Sequence, residues 1–397
     1  MFIKKKINNL KYIFYSLIII IFIFVIYLIE LTLNLYDISG YKYRKWSRLE
    51  RSPFEIYKQK KDQDFVIKIS PSHYLDYKFR YEIYPLSGIS NKITINCNEG
   101  GYWSDYFSDR YGFSNPDHYW NKNRIPFLLI GDSFTHGACV QYKDSIAGNI
   151  SAKLEKDSAV INLGYGGNGP LREYASLKEY LVNINPERVI WIFSEANDII
   201  DFENEKKNSI LKKYLMDDNF NQNLINKQTR IDEIANDILI NEYLYFQNAK
   251  NKFLNFDKFS DWNKIIKLEK FRGRLGYFFN INTNVQNYDI SDEFYTLINK
   301  FKKLSEDKNF KLYFVYLPNY PANYKSQLDQ AREQSYKKII SIINKHEIKI
   351  IDLNEELFKN YDDTLSLFPY RVNGHYNELG YKLISDAILK KIDFFEK

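Results

Sequence analysis

Four residues along the chain have the types and positions that acyl transfer requires. Ser133, Gly167 and Asn197 each follow an apolar run, and His375 lies near the C-terminus. A serine hydroxyl is a weak nucleophile that needs a base, and histidine is the residue type whose pKa suits that role near neutrality. The backbone N–H groups of Ser133 and Gly167 and the amide of Asn197 could stabilise the oxyanion of a tetrahedral intermediate. The residue types therefore indicate attack on an ester carbonyl.

The elements that would position these residues alternate between strand and helix patterns. The expected strands are 127–131, 159–164, 188–194, 311–317 and 348–353. The expected helices are about 143–156, 170–183, 291–307, 327–346 and 377–393. Such alternation is typical of parallel strands joined by crossover helices, so we predict an α/β sheet covered on both faces. In these sheets ligands bind beyond the carboxyl ends of the strands, which is where the candidate residues stand.

The candidates belong to four short blocks, GDSF at 131–134, NLGYGGNG at 162–169, ANDI at 196–199 and GHYNELGY at 374–381. In content and order these blocks resemble the SGNH/GDSL hydrolase superfamily, over roughly half of the chain. The resemblance implies a three-layer α/β/α fold with a parallel flavodoxin-like sheet and serine-based attack on esters. Carried over by position, it implies Ser133 as the nucleophile and His375 as the base. It also implies that the oxyanion hole is formed by Ser133, Gly167 and Asn197.

The chain departs from the family pattern just before the histidine. Family members commonly carry a triad aspartate two or three residues earlier, where this chain has Asn373 and Val372. An amide or a carbonyl could hold the histidine tautomer, but neither stabilises an imidazolium as a carboxylate does. Three other acidic residues could substitute for the aspartate: Glu378, Asp362 and Asp363.

The third block departs as well, because Glu195 stands where the family commonly has glycine. We expect Glu195 and Asp198 to contact the substrate. Alternatively, Asn197 and Asp198 could cap the turn from strand to helix. Asp132 is expected to have a structural role, accepting hydrogen bonds from nearby backbone N–H groups.

These motifs allow two other interpretations. GYGGNG at 164–169 fits the dinucleotide-binding fingerprint, with Glu195 as a loosely placed acidic residue and Pro170 as a helix start. That interpretation leaves GDSF and GHYNELGY unexplained, so we expect no cofactor and no metal. His136, three residues after the serine, is a second candidate base.

An uncharged apolar run at the N-terminus, YIFYSLIIIIFIFVIYLI at 12–29, has the length of a membrane-spanning helix. A cleaved signal peptide is the alternative, but no small-residue cleavage site follows the run. Basic residues flank it on both sides, so their count does not decide the orientation. We expect a single-pass membrane protein whose C-terminal domain lies outside the cytoplasm, in the periplasm or at the cell surface.

The expected organisation is an anchor at 1–36, an irregular lead-in at 37–124, a catalytic domain at 125–203 and 288–397, and a helical insertion at 204–287. The insertion could be a lid, a binding surface or a structural elaboration. A formal net charge of +6, not gathered into one basic block, argues against a nucleic-acid partner. Cys97 and Cys139 could pair, although two separate buried thiols are slightly favoured.

Together these features predict a serine-dependent ester hydrolase acting on an acylated small molecule or carbohydrate at the cell envelope. One alternative is an O-acyltransferase that modifies a surface polysaccharide. A second alternative is a catalytically degenerate SGNH domain that binds a glycan or serves as a scaffold, since the family's aspartate is absent from its usual place. The membrane would be contacted through the one N-terminal helix.

Overall fold

The computed structural model describes residues 2–44, 53–60, 63–70, 81–251, 266–268, 271–272, 290–320 and 328–397. The chain divides into two compact units, Met1–Ser52 with Tyr245–Gln286, and Pro53–Leu244 with Asn287–Lys397. The candidate site residues all belong to the second unit. Elements are numbered below in chain order.

The first unit contains the long helix α1 (Phe2–Arg44). Within the described part of the chain, α1 alone is long and apolar enough to span a membrane, over Lys11–Leu33 with a mean hydropathy of 2.9. A signal sequence would meet the same criterion. Inside this unit the Tyr27 hydroxyl donates to the Ile266 carbonyl at 3.1 Å.

A small three-stranded sheet precedes the main sheet of the second unit. After α2 (Pro53–Lys60), strands β1 (Phe65–Ile67) and β2 (Ile93–Ile95) pair in parallel, and β3 (Asp105–Phe107) pairs antiparallel with β2. The sequence predicted an irregular segment here, because strands of three residues are too short to show an alternating pattern. Parts of the predicted lead-in, at 45–52, 61–62 and 71–80, lie outside the described residues.

The main sheet has five parallel strands in the order β5-β4-β6-β7-β8. They are β4 (Arg124–Gly131), β5 (Ser158–Asn162), β6 (Pro186–Ser194), β7 (Lys311–Leu317) and β8 (Lys349–Asp352). Because β5 and β6 lie on opposite sides of β4, the chain reverses its direction of winding at β4. This strand order is that of flavodoxin-like folds, and such a switch point opens a crevice beyond the strand ends.

Helices cover both faces of the main sheet and make a three-layer structure. They are α3 (Ser133–His136), α4 (Ile146–Ser151), α5 (Pro170–Tyr180), α6 (Asp198–Glu205), α7 (Ser209–Met216), α8 (Gln228–Asn251), α9 (Asp292–Asp307), α10 (Leu328–Lys345), α11 (Leu353–Glu356) and α12 (Glu378–Glu396). On β6, Trp191 and Phe193 pack in one core with α5 and α9, whereas Ile190 and Ile192 pack in the other core with α4 and α12. This alternation follows from the two-residue period of a strand. The predicted α/β fold with a parallel sheet is confirmed.

The main differences from the predicted elements lie at their ends. The fourth expected strand, 311–317, matches β7, but the first expected helix, 143–156, is reduced to α4. Ser145 sets the start of α4, since its hydroxyl accepts the N–H of Gly148 at 3.1 Å and caps the helix there, and the helix ends at Ser151. In the predicted insertion, α7 and most of α8 are described, whereas most of 252–287 lies outside the described residues.

Candidate active site

Ser133 begins the short helix α3 directly after strand β4, the strand at which the winding direction reverses. The side chain of Asp132 caps this helix by accepting the N–H of Phe134 at 2.8 Å. The prediction of a structural role for Asp132 is thus confirmed. The strand end and the cap place the partly buried Ser133 at the edge of the sheet where the winding direction reverses.

His375 is in hydrogen-bond contact with the serine. Its Nε2 lies 2.8 Å from Ser133 Oγ. The ring packs against Phe134, with 5.0 Å between the ring centroids. The residue stands just before α12, whose start is fixed by Asn377 accepting the N–H of Gly380 at 2.9 Å. A neutral imidazole in this position can accept the serine proton at Nε2.

Glu99 supplies a carboxylate on the far side of the histidine ring. Its Oε1 lies 3.0 Å from His375 Nδ1, and its Oε2 accepts the backbone N–H of His375 at 2.6 Å. A Cβ atom on Gly374 would lie 2.5 Å from Glu99 Oε2, so glycine there permits this close approach. A carboxylate at Nδ1 holds the proton on that nitrogen and stabilises the imidazolium once it forms.

The three acidic residues proposed from the sequence are engaged elsewhere or exposed. Glu378 accepts the Tyr102 hydroxyl at 2.8 Å, Asp363 forms an ion pair with Arg371 at 2.7 Å, and Asp362 is exposed. The carboxylate at the histidine instead comes 276 residues earlier in the chain. The sequence did not point to Glu99, because the acidic residues it offered as partners were those close to the histidine along the chain. The nearby Cys97 is the one local signal that could have drawn attention to this loop.

A disulfide bond fixes the loop that carries Glu99. The loop joins β2 to β3 and is closed at its base by Ser104, whose N–H donates to the Cys97 carbonyl at 2.9 Å. Cys97 is bonded to Cys139, and Cys139 Sγ lies 3.9 Å from His375 Nδ1. The expectation of two separate buried thiols is therefore wrong. The loop and the segment after α3 meet at the histidine, and the sequence could not show this proximity.

We expect the Cys97→Ser, Cys139→Ser double variant to lose both stability and activity. The bond closes a loop of 42 residues, so its removal should cost about 3–4 kcal/mol of unfolding free energy in the chain-entropy description. Activity should fall further than the unfolded fraction explains, because Glu99 loses its fixed position. Urea unfolding and ester turnover measure the two effects. Dithiothreitol should impair the wild type and leave the double variant unchanged. Full turnover in a folded, reduced protein would contradict this positioning role.

The loop after β5 brings Gly167 to the serine. The φ angle of Gly167 is +85°, in the left-handed region that glycine adopts without a steric penalty. The preceding carbonyl, that of Gly166, accepts the Ser70 hydroxyl at 2.8 Å. A Cβ on Gly166 would lie 3.8 Å from Ser133 Cβ, so the loop packs directly against the serine.

Asn197 follows β6 and stands at the start of α6, although its side chain makes no capping hydrogen bond. Its Nδ2 donates to Asp201 at 2.7 Å, and its Oδ1 accepts the Ser194 hydroxyl at 3.0 Å. These two hydrogen bonds fix the orientation of the Asn197 amide at the carboxyl end of β6.

The carboxylates of Glu195 and Asp198 are occupied within the protein. Glu195 accepts the backbone N–H of Asn319 at 2.9 Å and pairs with Arg332, which leaves its side chain 8% exposed. Asp198 is fully buried and accepts the backbone N–H of Ser194 at 2.7 Å. A substrate contact by either carboxylate stays a prediction.

Carboxyl groups are also buried beneath the serine. Burial raises the pKa of Asp132 to about 6 and raises the pKa values of Glu173 and Asp198 well above their ordinary range. The neighbouring negative charges raise the pKa values of Glu173 and Asp198 further. These three groups consequently do not all carry a charge at neutral pH.

An ion pair supports the glycine loop from the opposite side. The side chains of Arg172 and Glu205 are at most 1% exposed, and Arg172 Nε forms an ion pair with the Glu205 carboxylate. Glu205 also accepts the N–H groups of Gly169 at 2.6 Å and Leu171 at 2.9 Å. The pair therefore joins the end of α6 to the loop that ends at Gly169.

We expect Arg172→Met to lower the free energy of unfolding by about 3–5 kcal/mol, because it leaves the Glu205 carboxylate buried without its countercharge. Urea unfolding measures the change. Adding Glu205→Gln should recover part of the loss. Lys337→Met, which breaks an exposed pair with Glu333 on α10, should have little measurable effect. Equal unfolding free energies for Arg172→Met and Lys337→Met would contradict the stabilising role of the buried ion pair.

His136, the second candidate base, is buried away from the serine hydroxyl. Its Nδ1 lies 3.2 Å from the Gly164 carbonyl, and its ring packs on Tyr106 and Tyr165 with centroid distances of 5.0 and 5.3 Å. Burial lowers its pKa well below the ordinary value, and so does the charge of Lys68. The ring is therefore neutral and structural.

No protein-family model and no curated protein matches the chain. Similar solved structures include a member of the lipolytic G-D-S-L family from Veillonella parvula, with 14% identity and a TM-score of 0.37 over 67% of this chain and 97% of that one. A lipase/acylhydrolase from Enterococcus faecalis has 15% identity and a TM-score of 0.33 over 68% and 95%. A catalytic mutant of an acetylxylan esterase from Geobacillus stearothermophilus has 13% identity and a TM-score of 0.34 over 68% and 94%.

At such low identities and TM-scores these likenesses say nothing about the activity or the substrate of this chain. The strand order, the serine directly after β4 and the histidine directly before the last helix agree with the α/β/α fold and residue placement that the resemblance of the four blocks implied.

Proposed function

We propose that this chain is a serine-dependent acyl-ester hydrolase of the SGNH/GDSL type, with Ser133, His375 and Glu99 as its catalytic triad. The observation that carries the proposal is the continuous hydrogen-bonded line through these residues, with 2.8 Å from Ser133 Oγ to His375 Nε2 and 3.0 Å from His375 Nδ1 to Glu99 Oε1. Nucleophile, base and orienting carboxylate are in contact, as triad chemistry requires. This argues against a degenerate domain without its acid.

In the first half-reaction, Ser133 Oγ attacks the ester carbonyl carbon while His375 Nε2 takes the hydroxyl proton. The carbonyl oxygen becomes an oxyanion that accepts hydrogen bonds from the N–H groups of Ser133 and Gly167 and from the Asn197 amide. Glu99 stabilises the imidazolium. Collapse of the intermediate breaks the bond to the leaving alkoxide, which receives the proton from His375, and an acyl-serine remains.

In the second half-reaction, an acceptor hydroxyl attacks the acyl-serine and gives its proton to His375. The bond from the acyl carbon to Ser133 Oγ then breaks, and Ser133 Oγ takes the proton from His375. With water as the acceptor the product is the free acid, which is hydrolysis. A sugar hydroxyl as the acceptor would give O-acyl transfer through the same steps. Both reactions need the same residues, so the difference depends on what occupies the acceptor position.

We infer an acylated carbohydrate at the cell envelope as the substrate. Membrane-anchored relatives in the superfamily often modify polysaccharides, and this part of the proposal rests on that analogy. The apolar span Lys11–Leu33 would serve as the anchor. The disulfide between Cys97 and Cys139 favours an oxidising compartment, which supports a catalytic unit outside the cytoplasm.

The test is product analysis with the full-length protein in detergent micelles, using 4-nitrophenyl acetate as the acyl donor. We expect release of nitrophenol and free acetate, with an early burst if the acyl-enzyme accumulates. The assay is repeated with increasing amounts of a soluble glycan. Acetylated glycan at the expense of acetate would identify a transferase. No nitrophenol release by the folded protein would count against acyl-ester chemistry.

A further inference from the structure

Lys68 belongs to the same small sheet that presents the loop carrying Glu99. It follows β1 directly, and its backbone N–H donates to the Ile95 carbonyl at 3.0 Å, which extends the pairing of β1 with β2. Ser70, two residues further on, bonds the loop after β5 through the Gly166 carbonyl. The segment 68–70 therefore lies along the edge of the candidate site.

The ammonium group of Lys68 lies beside the nucleophile. A Cβ on Gly166 would lie 2.9 Å from Lys68 Nζ and 3.8 Å from Ser133 Cβ, so both side chains border the same point. The negative charges of Glu99 and Asp132 act on the ammonium as well. Lys68 borders Gly166, whereas the proposed oxyanion donor of this loop is the N–H of the next residue. The ammonium therefore lies against the residue that precedes this proposed donor.

Within the described ranges of the chain, Lys68 Nζ has no carboxylate at ion-pair distance and no hydrogen-bond acceptor among the contacts found. The side chain is only partly exposed. Burial lowers the pKa of Lys68 to about 8, with Glu99 and Asp132 opposing part of that shift. At neutral pH most molecules therefore carry an ammonium that is partly desolvated and has no ion-pair partner among the described residues. An anionic ligand would recover the lost interaction.

We propose that Lys68 binds an anionic group of the substrate, a carboxylate or a phosphate, and so orients its ester toward Ser133. The inference rests on the proposed function and narrows it to acylated molecules that carry a negative charge close to the ester. A lysine that only stabilised the oxyanion would accelerate neutral and anionic esters alike. Lys68 is therefore a specificity residue in this proposal. Its effect is measured as the ratio of kcat/KM for the anionic ester to kcat/KM for the neutral ester.

The experiment compares three acetate esters on the full-length protein in detergent: the O-acetyl derivatives of methyl glucoside, of the methyl glycoside of glucuronic acid with its carboxylate free, and of glucose 6-phosphate. The wild type should prefer at least one anionic ester. Lys68→Met should reduce kcat/KM for that ester by about 10- to 100-fold more than for the neutral ester, mainly through KM. Lys68→Arg, which keeps the charge, should retain most of the preference. The ester with the larger loss distinguishes a carboxylate from a phosphate.

The preference should also depend on pH. The Lys68 side chain carries its positive charge below its pKa of about 8 and loses it above. The ratio of kcat/KM for the anionic ester over the neutral ester should therefore fall as pH rises through about 8. Among the described residues, the titratable groups that interact electrostatically with Lys68 are Glu99, Asp132 and His136, and a ratio between two substrates cancels their common effect on catalysis. A ratio that is flat between pH 6 and 10 would contradict the proposal.

A second measurement uses only the wild-type protein, so it does not depend on whether a variant folds. The methyl glycoside of glucuronic acid, with its carboxylate free, and glucose 6-phosphate are tested as competitive inhibitors of 4-nitrophenyl acetate hydrolysis by the wild type, with methyl glucoside as the neutral control. Stronger inhibition by an anionic sugar supports the proposal. Equal inhibition, or an equal loss on all esters in Lys68→Met, overturns it. Absence of turnover on every ester would instead refute the proposed function itself.

Discussion

Ser133→Ala is expected to reduce ester turnover by about four to six orders of magnitude, because it removes the atom that forms the acyl-enzyme. The oxyanion donors and the substrate contacts remain, so a small residual rate over water is expected. The variant should fold normally, since the Asp132 cap of α3 uses the N–H of Phe134 and not the serine hydroxyl. The measurement is kcat/KM for 4-nitrophenyl acetate together with the thermal unfolding midpoint.

The matched control is Ser341→Ala, which removes a hydroxyl from the exposed face of α10. Its kcat/KM should equal that of the wild type within error. If Ser133→Ala retained a tenth or more of the wild-type rate, another group would have to be the nucleophile, and the proposed mechanism would fail.

Glu99→Gln is expected to lower kcat by about two to four orders of magnitude with little change in KM. The amide keeps the shape of the side chain, but it cannot stabilise the imidazolium, and it can present N–H instead of oxygen to His375 Nδ1. The wrong tautomer of His375 would then place a proton on Nε2, the atom that must accept the serine proton. The split between kcat and KM separates this effect from a general loss of substrate binding.

Glu378→Gln provides the control for this second prediction. Glu378 is one of the acids that the sequence offered as a partner for the histidine, and it bonds Tyr102 in the same loop as Glu99. Its removal should change kcat only a few-fold. A large loss in Glu378→Gln together with a small loss in Glu99→Gln would show that the carboxylate is assigned to the wrong residue.

The parallel sheet could be predicted because its signals are local. Strands such as 311–317 are buried on both faces and are therefore continuous apolar runs, and the helices between them follow their own period. Ser133 and His375 stand in short blocks beside such elements. Their contact was inferred from the resemblance of those blocks, and the structure brings the two side chains together.

The carboxylate partner could not be predicted, because nothing local connects it with the histidine. Glu99 lies on a loop between two strands of three residues each, and it reaches His375 only when the small sheet docks beside the main one. The disulfide between Cys97 and Cys139 is part of the same tertiary arrangement. Lys68 was missed for this reason too, since a lone lysine after a short strand carries no sequence signal of its own.

The most direct measurement is labelling of the full-length protein with a fluorophosphonate probe, followed by mass spectrometry of the proteolytic peptides. A nucleophilic serine activated by a base reacts covalently with such a probe, whereas ordinary serines do not. We predict one adduct per chain on the peptide that contains Ser133, lost in Ser133→Ala and strongly slowed in Glu99→Gln. A folded wild-type protein that stays unlabelled, or an adduct on another serine, would contradict the account.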